Sequence, residues 1–339
     1  MNVQLLKKLG NIDQIAGIRQ SRILHGRAQG VEMAEFYNAA GLRFTVIPDR
    51  CMDLYDLSYK GVNLCFQSKV GLVSPMDFNA MDGEFQEQWT GGAMVTCGLD
   101  NVGDHVDMDG IFPTHGRTSH VPAKTFGVDT YWDGDNYVLK ATGEIHQSSV
   151  FSRHLSLRRT VQTGLNDKAL TICDVVTNYE AEEEPYFLLY HINFGYPMVQ
   201  ADSRVAMSKN FGAPQALTEL ATGFDTLHEP VDGIDEELYL HTVIGGETAA
   251  AVIYNERMGL GAYVRFDTKN LPGLLQWKRM KSHDYVLALE PCNTYGCNRR
   301  ELLEQGRAST IPGYGSVENH LEIGVLDGKE ELEKFLADL

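Results

Sequence analysis

The 339-residue sequence predicts an all-β protein, a sandwich or barrel, on three observations. Apolar residues recur with period two, turn residues punctuate them at short intervals, and long helical patterns are scarce. Many strands without alternating long helices argue against a doubly wound sheet. The clearest run is Leu155–Val161, in which Leu155, Leu157 and Val161 share one face. A turn at Gly164–Asp167 follows, then Ala169–Tyr179, rich in β-branched residues; the two runs read as a hairpin. Further strands are expected at 42–47, 137–145, 186–194, 237–244, 249–254, 261–266, 285–289 and 319–325. Turn residues separate them at Asn101 to Gly103, Asp133-Gly134-Asp135, Gly245-Gly246 and Asp327-Gly328. Two helices are expected. One spans 2–9 and is ended by Gly10. The other spans 329–339, with Leu332, Phe335, Leu336 and Leu339 on one stripe and Asp327 ahead of it as N-cap. The sequence has no low-complexity segment, internal repeat or linker, so residues 1–339 are read as one domain.

The formal net charge of −17 disfavours nucleic acid and anionic membrane as partners, because the chain repels phosphate. It leaves a small neutral ligand open. The start, MNVQLLKKLGN, lacks the long apolar core of a signal peptide, and no stretch approaches the length of a membrane span. The six cysteines are scattered, with no CxxC, as expected of reduced cytoplasmic thiols.

Three segments look unlike ordinary strand or turn: Gly91–Gly98 running on through Gly103 to Pro113–His120, then Tyr190–Pro197, then Gln276–Lys278 followed by Leu289–Tyr295. His191 follows the apolar run 187–190, and Glu290 ends the apolar run 286–289, so both sit within or at the end of strands. Taken alone, a strand histidine is more often a satisfied structural residue than a functional one, and a carboxylate there is either a strand-end surface charge or an inward catalytic group. His115-Gly116-Arg117 reads as a loop with two polar groups about a glycine, a type of segment that often carries function.

Together these segments, with Ile47–Leu54, resemble the aldose 1-epimerase (galactose mutarotase-like) superfamily, closest to its branch of unknown function. The likeness runs from about Gly41 to Val325 and rests on the order and spacing of the motifs rather than on any one. It implies a large antiparallel supersandwich with few short helices, whose concave face holds a sugar. It also implies a general acid at His191, a general base at Glu290 and a sugar-binding histidine at His115. Arg117 is placed like an arginine of the hexose-phosphate branch. Arg50, Trp277 and Lys278 lie in resembling segments and are assigned to substrate binding, and Trp89 is a further candidate to stack on a sugar. The strand motif reads His-Ile-Asn-Phe-Gly where the galactose enzymes carry a His-Pro-Tyr-Phe-Asn type motif, a departure that bears on ring specificity.

The implied reaction is mutarotation, an isomerisation. A base takes the anomeric hydroxyl proton while an acid protonates the ring oxygen, and the roles reverse after rotation about C1–C2. No cofactor is expected and no metal. His115 and His120 lack a nearby carboxylate at cupin-like spacing, and no His-x-His occurs. A nucleophilic hydrolase is disfavoured by the lack of G-x-S-x-G, and a glycosidase by the lack of an evident second carboxylate. The alternatives are a non-catalytic sugar-binding or sensing module, or a related sugar epimerase or isomerase. The expected partner is a small-molecule sugar, neutral rather than phosphorylated, with a homodimer left open.

Overall fold

Alternation is carried furthest in the strand Ala169–Asn178, where Leu170, Ile172, Asp174, Val176 and Asn178 are buried and the residues between them are half-exposed. In the computed structural model, which describes residues 3–81 and 83–338, this strand lies in an eight-stranded antiparallel sheet, hereafter the wide sheet. Its order is 203–207, 248–255, 260–267, 316–327, 169–178, 154–164, 136–148, 125–133. Facing it is a six-stranded narrow sheet in the order 215–216, 237–242, 273–281, 284–292, 187–194, 95–99. A five-stranded N-terminal meander, residues 17–63, is the third large sheet, and two two-stranded pairs, 184–185 with 310–311 and 106–107 with 111–112, complete the architecture. One apolar core joins all three sheets, with Phe36, Phe44 and Leu54 from the meander, Leu157, Ile172 and Ile323 from the wide sheet, and Leu188, Ile192 and Leu289 from the narrow one.

The all-β expectation and the mutarotase-like sandwich both hold. The helices among the described residues are short, the longest being Lys329–Asp338, and no helix is long and apolar enough to cross a membrane. The expected hairpin is present, pairing Leu157 with Val176 and Thr160 with Cys173.

The differences have local causes. Val95–Leu99, read as irregular, is a fully buried strand. Gln276–Lys278 lies inside the strand Gly273–Lys281. The edge strand Thr125–Asp133 and the first strand Gly17–Arg22 escape pattern reading because each buries at most one residue, so neither has an apolar face to betray it. The first helix is only Val3–Leu6, and residue 2 lies outside the described residues, as does 339. Asp327 does not cap the last helix. Its carboxylate accepts from Tyr59 and Lys60, while Glu331 reaches back to the Asp327 backbone N–H.

Candidate active site

Every residue of Phe187–Phe194 is buried, because this strand lies inside the narrow sheet with packing on both faces. Leu188, Tyr190, Ile192 and Phe194 enter the sandwich core. Phe187 and Leu189 join a second cluster on the opposite face with Val95, Cys97, Leu275 and Cys292. Period two therefore puts His191 on that second face. On the neighbouring strand Asp284–Cys292 the same parity puts Glu290 there too, beside Ala288 and Cys292.

His191 Nε2 lies 3.2 Å from Glu290 Oε1. The two do not form a hydrogen bond, which leaves Glu290 Oε1 without a partner, and His191 Nδ1, the other ring nitrogen, has none in the protein either. Burial pushes the two groups away from charge in opposite senses. The Glu290 carboxyl is held well above the usual carboxylate range by burial, with Glu236 adding to the effect. His191 is pushed down to about 3 by burial and then by the proximity of His115. The favoured state of the pair is therefore uncharged, with one proton on Glu290. The carboxylate–imidazolium form is the proton tautomer of this state.

Aromatic rings surround the pair. Trp89 and Trp277 stand 5.4 and 5.6 Å from the His191 ring and meet each other edge to face at 5.7 Å. Trp277 is oriented by Glu236, which accepts its indole N–H at 2.8 Å. The Trp89 indole N–H is buried with no partner. His115 lies 5.8 Å from the His191 ring and 5.0 Å from Phe85. Its Nδ1 accepts weakly from Gly103 N at 3.4 Å, and burial pushes its pKa down to about 4. Its backbone has φ +57°, a left-handed conformation uncommon for a side-chain-bearing residue.

Two glycines dock the His115 loop. Gly116, at φ +73°, forms a parallel bridge with Gly98, and a Cβ on Gly116 would stand 2.1 Å from Gly98 O. A Cβ on Gly98 would likewise meet Phe187 O at 2.1 Å. Neither position has room for a side chain, so the glycine between His115 and Arg117 serves close packing rather than flexibility.

The structure thus brings together His191, Glu290, His115 and Trp277, with Trp89. The three cations lie differently. Lys278, next to Trp277 on one strand, points to the opposite face. It donates to Gly223 O at 2.7 Å and Thr226 O at 2.9 Å, and pairs with Glu237 at 3.2 Å. It braces the 222–226 loop and is not part of this site. Arg50 is buried and donates to Val73 O and Gln88 O, tying down the segment that leads into Trp89. Arg117 is held by buried Asp100, at 2.7 Å, and by Ile111 O. Phe85 and Glu236 were not legible in the sequence. Phe85 sits on the short helix Glu84–Gln88, and Glu236 precedes a strand among other acids, so neither carries a distinguishing pattern.

Residues 28–325 match the model of DUF4432, a domain of unknown function. The chain belongs to this family. No curated protein matches it. Among solved structures, it is similar to a candidate aldose 1-epimerase of Klebsiella pneumoniae (TM-score 0.89, 23% identity, covering 95% of this chain and 86% of that one). It is also similar to a galactose mutarotase-like protein of Clostridium acetobutylicum (0.60, 14%, 93% and 99%). A galactose 1-epimerase of Lactobacillus acidophilus gives 0.59 at 12% identity, covering 92% and 99%. At these identities the likeness establishes the fold.

Proposed function

We propose that this protein is an isomerase that interconverts the anomers of a free sugar, with His191 and Glu290 as its acid–base pair. One observation carries the reading. Three buried polar atoms without protein partners, Glu290 Oε1, His191 Nδ1 and Trp89 Nε1, belong to residues of one aromatic-walled site. Buried polar atoms are ordinarily satisfied, so a group of orphans calls for a ligand rich in hydroxyls. Indole faces suit the apolar face of a pyranose, and Trp277 is already held in place by Glu236.

The chemistry needs one proton shared by two groups. One member gives it to the ring oxygen while the other accepts the anomeric proton; closure after rotation about C1–C2 reverses both transfers. Because the cycle is symmetric in this sense, it can start from either tautomer of the pair. His115 contributes ring binding. Arg50, Arg117 and Lys278 are each engaged by acceptors of the protein itself, which supports a neutral sugar over a phosphorylated one.

The test is anomer exchange, followed by polarimetry or NMR on freshly dissolved sugars over a panel of aldoses, ketoses and sugar phosphates. Catalysed exchange of at least one neutral sugar is expected. Binding without exchange would replace the enzyme with a sugar-binding module, and epimerisation at another carbon would replace mutarotation.

A further inference from the structure

The outer face of the wide sheet carries a second chemically distinctive cluster, far from the acid–base pair in its setting. Ala169–Asn178 and Ser316–Asp327 pair antiparallel, with Cys173 directly opposite His320. Both side chains point outward, as does Glu318 two residues before His320. Sγ of Cys173, a ring nitrogen of His320 and a carboxylate oxygen of Glu318 all lie within 4.8 Å of one another. Glu318 Oε1 stands 3.8 Å from Cys173 Sγ and 2.6 Å from His320 Nε2. Cys173 and His320 line a hollow of about 380 Å³ together with Thr160, Thr171, Arg265 and Glu322. The sequence hides this grouping, because Cys173 and Glu318 are 145 residues apart and only strand register joins them.

We propose that Cys173, His320 and Glu318 form a three-ligand site for Zn²⁺, with water completing the coordination. The donor set is thiolate, imidazole and carboxylate, each an ordinary zinc ligand. Thiolate and carboxylate together supply two negative charges and so neutralise the dication. The neighbouring acid, Glu322, is already engaged by Arg265 at 3.1 Å and Tyr263 at 2.7 Å, which leaves Glu318 as the carboxylate for the metal. All three ligands stand on two neighbouring central strands of a continuous sheet, a rigid support for coordination geometry. Tetrahedral ligands at zinc bond lengths are roughly 3.3–3.8 Å apart. The thiol–carboxylate separation of 3.8 Å fits, and on binding the carboxylate turns from its hydrogen bond with His320 as the three donors close from within 4.8 Å onto the ion. On binding, the Cys173 S–H bond breaks, the S–Zn bond forms and the proton passes to solvent, with no change in oxidation state.

The experiment titrates the full chain, stripped of metal, with Zn²⁺ against a chromophoric chelator, and repeats the titration with Cys173→Ser, His320→Ala and, as a control, Cys297→Ser. One Zn²⁺ per wild-type chain is expected. Loss of an outer-shell partner typically costs ~10- to 100-fold in metal affinity, so loss of a ligand here should cost at least about 100-fold. The Cys297 control should bind like wild type. Co²⁺ in place of Zn²⁺ should show a thiolate charge-transfer band that Cys173→Ser abolishes. Less than one Zn²⁺ per chain, or affinity unchanged by both Cys173→Ser and His320→Ala, would overturn the proposal. Circular dichroism of each variant separates lost binding from lost fold.

Discussion

Tyr190 and His191 are consecutive residues of one strand, and they face opposite electrostatic surroundings. The Tyr190 hydroxyl points into the sandwich core and donates to Asp174 at 2.9 Å. There Asp174 takes two hydrogen bonds from Arg159, whose guanidinium also reaches Cys51 O and Asp53, and Asp53 is further bonded by Thr96. Tyr190, Arg159 and Asp174 are all fully buried and all partnered. On the other side of the backbone, His191 and Glu290 are nearly as buried, yet polar atoms of both lack partners. Both groups of residues sit in low dielectric. Among these core-side residues only Asp53 Oδ2 is left without a partner, whereas on the other side an oxygen of Glu290 and a ring nitrogen of His191, the two groups proposed to move protons, are both unpartnered.

This contrast can be broken most directly at Arg159. Arg159→Met leaves Asp174 and Asp53 without their cation, and removing one partner of a buried pair costs about 3–5 kcal/mol. Urea unfolding should show a loss of that size or failure to fold. An Arg159→Met protein of wild-type stability would end the claim that this cluster holds the sheets together.

On the opposite face the same kind of change should leave stability alone and affect rate instead. Glu290→Gln keeps the shape and removes the proton-transfer group, so anomer exchange should drop by ~100- to 10,000-fold. The unfolding midpoint should stay level or rise, since a buried acid with an orphan oxygen is lost. His191→Asn should match it, and the double variant should be little worse than the poorer single, because the two act in one proton exchange. Near-full exchange by Glu290→Gln would refute the mechanism.

The pH profile sharpens the point. The pair functions while it holds one proton. His191 is depressed to about 3 and Glu290 is raised well above its usual range, so the rate should hold as pH falls below neutrality and decline on the alkaline side where Glu290 gives up its proton. Its acid limb should fall well below an ordinary histidine's pKa of about 6.5. An acid limb near that ordinary value would place His191 in a far wetter site than the structure shows.

The smallest effect concerns His120, stacked on Phe78 at 3.8 Å, with Nε2 buried and unpartnered. Burial, and then Arg50, lower its pKa to about 2. The folded state therefore binds fewer protons than the unfolded one below about pH 6.5, and stability falls as pH drops through that value. His120→Gln should flatten the decline between roughly pH 6.5 and 4.5 by at most about 1.4 kcal/mol per pH unit. An unchanged slope would mean that His120 is hydrated in solution.

Much of this was legible from residue order. Alternation in 155–161 and 169–179 announced the wide sheet, and the apolar runs ahead of His191 and Glu290 placed both on strands. Parity alone also carried a warning at Lys278: it adjoins Trp277, and adjacent strand residues cannot share a face. Recognising 273–281 as a strand would have removed Lys278 from the site. Arg50 and Arg117 were beyond such reasoning, because their engagement depends on carbonyls and a carboxylate supplied by distant loops. The approach of Gly98 to Gly116, which positions His115, is likewise a long-range backbone contact with no local pattern.

The poorly buried edge strand Thr125–Asp133 has a consequence for behaviour in solution. It ends the wide sheet and carries Asp129, Asp133 and Gly127 along its length. Charges on an edge discourage a second chain from adding a strand, and glycine weakens any strand that tries. The net charge of −17 adds long-range repulsion between copies, which salt screens over about 10 Å at 0.1 M. Self-association followed by sedimentation should therefore strengthen as salt is added.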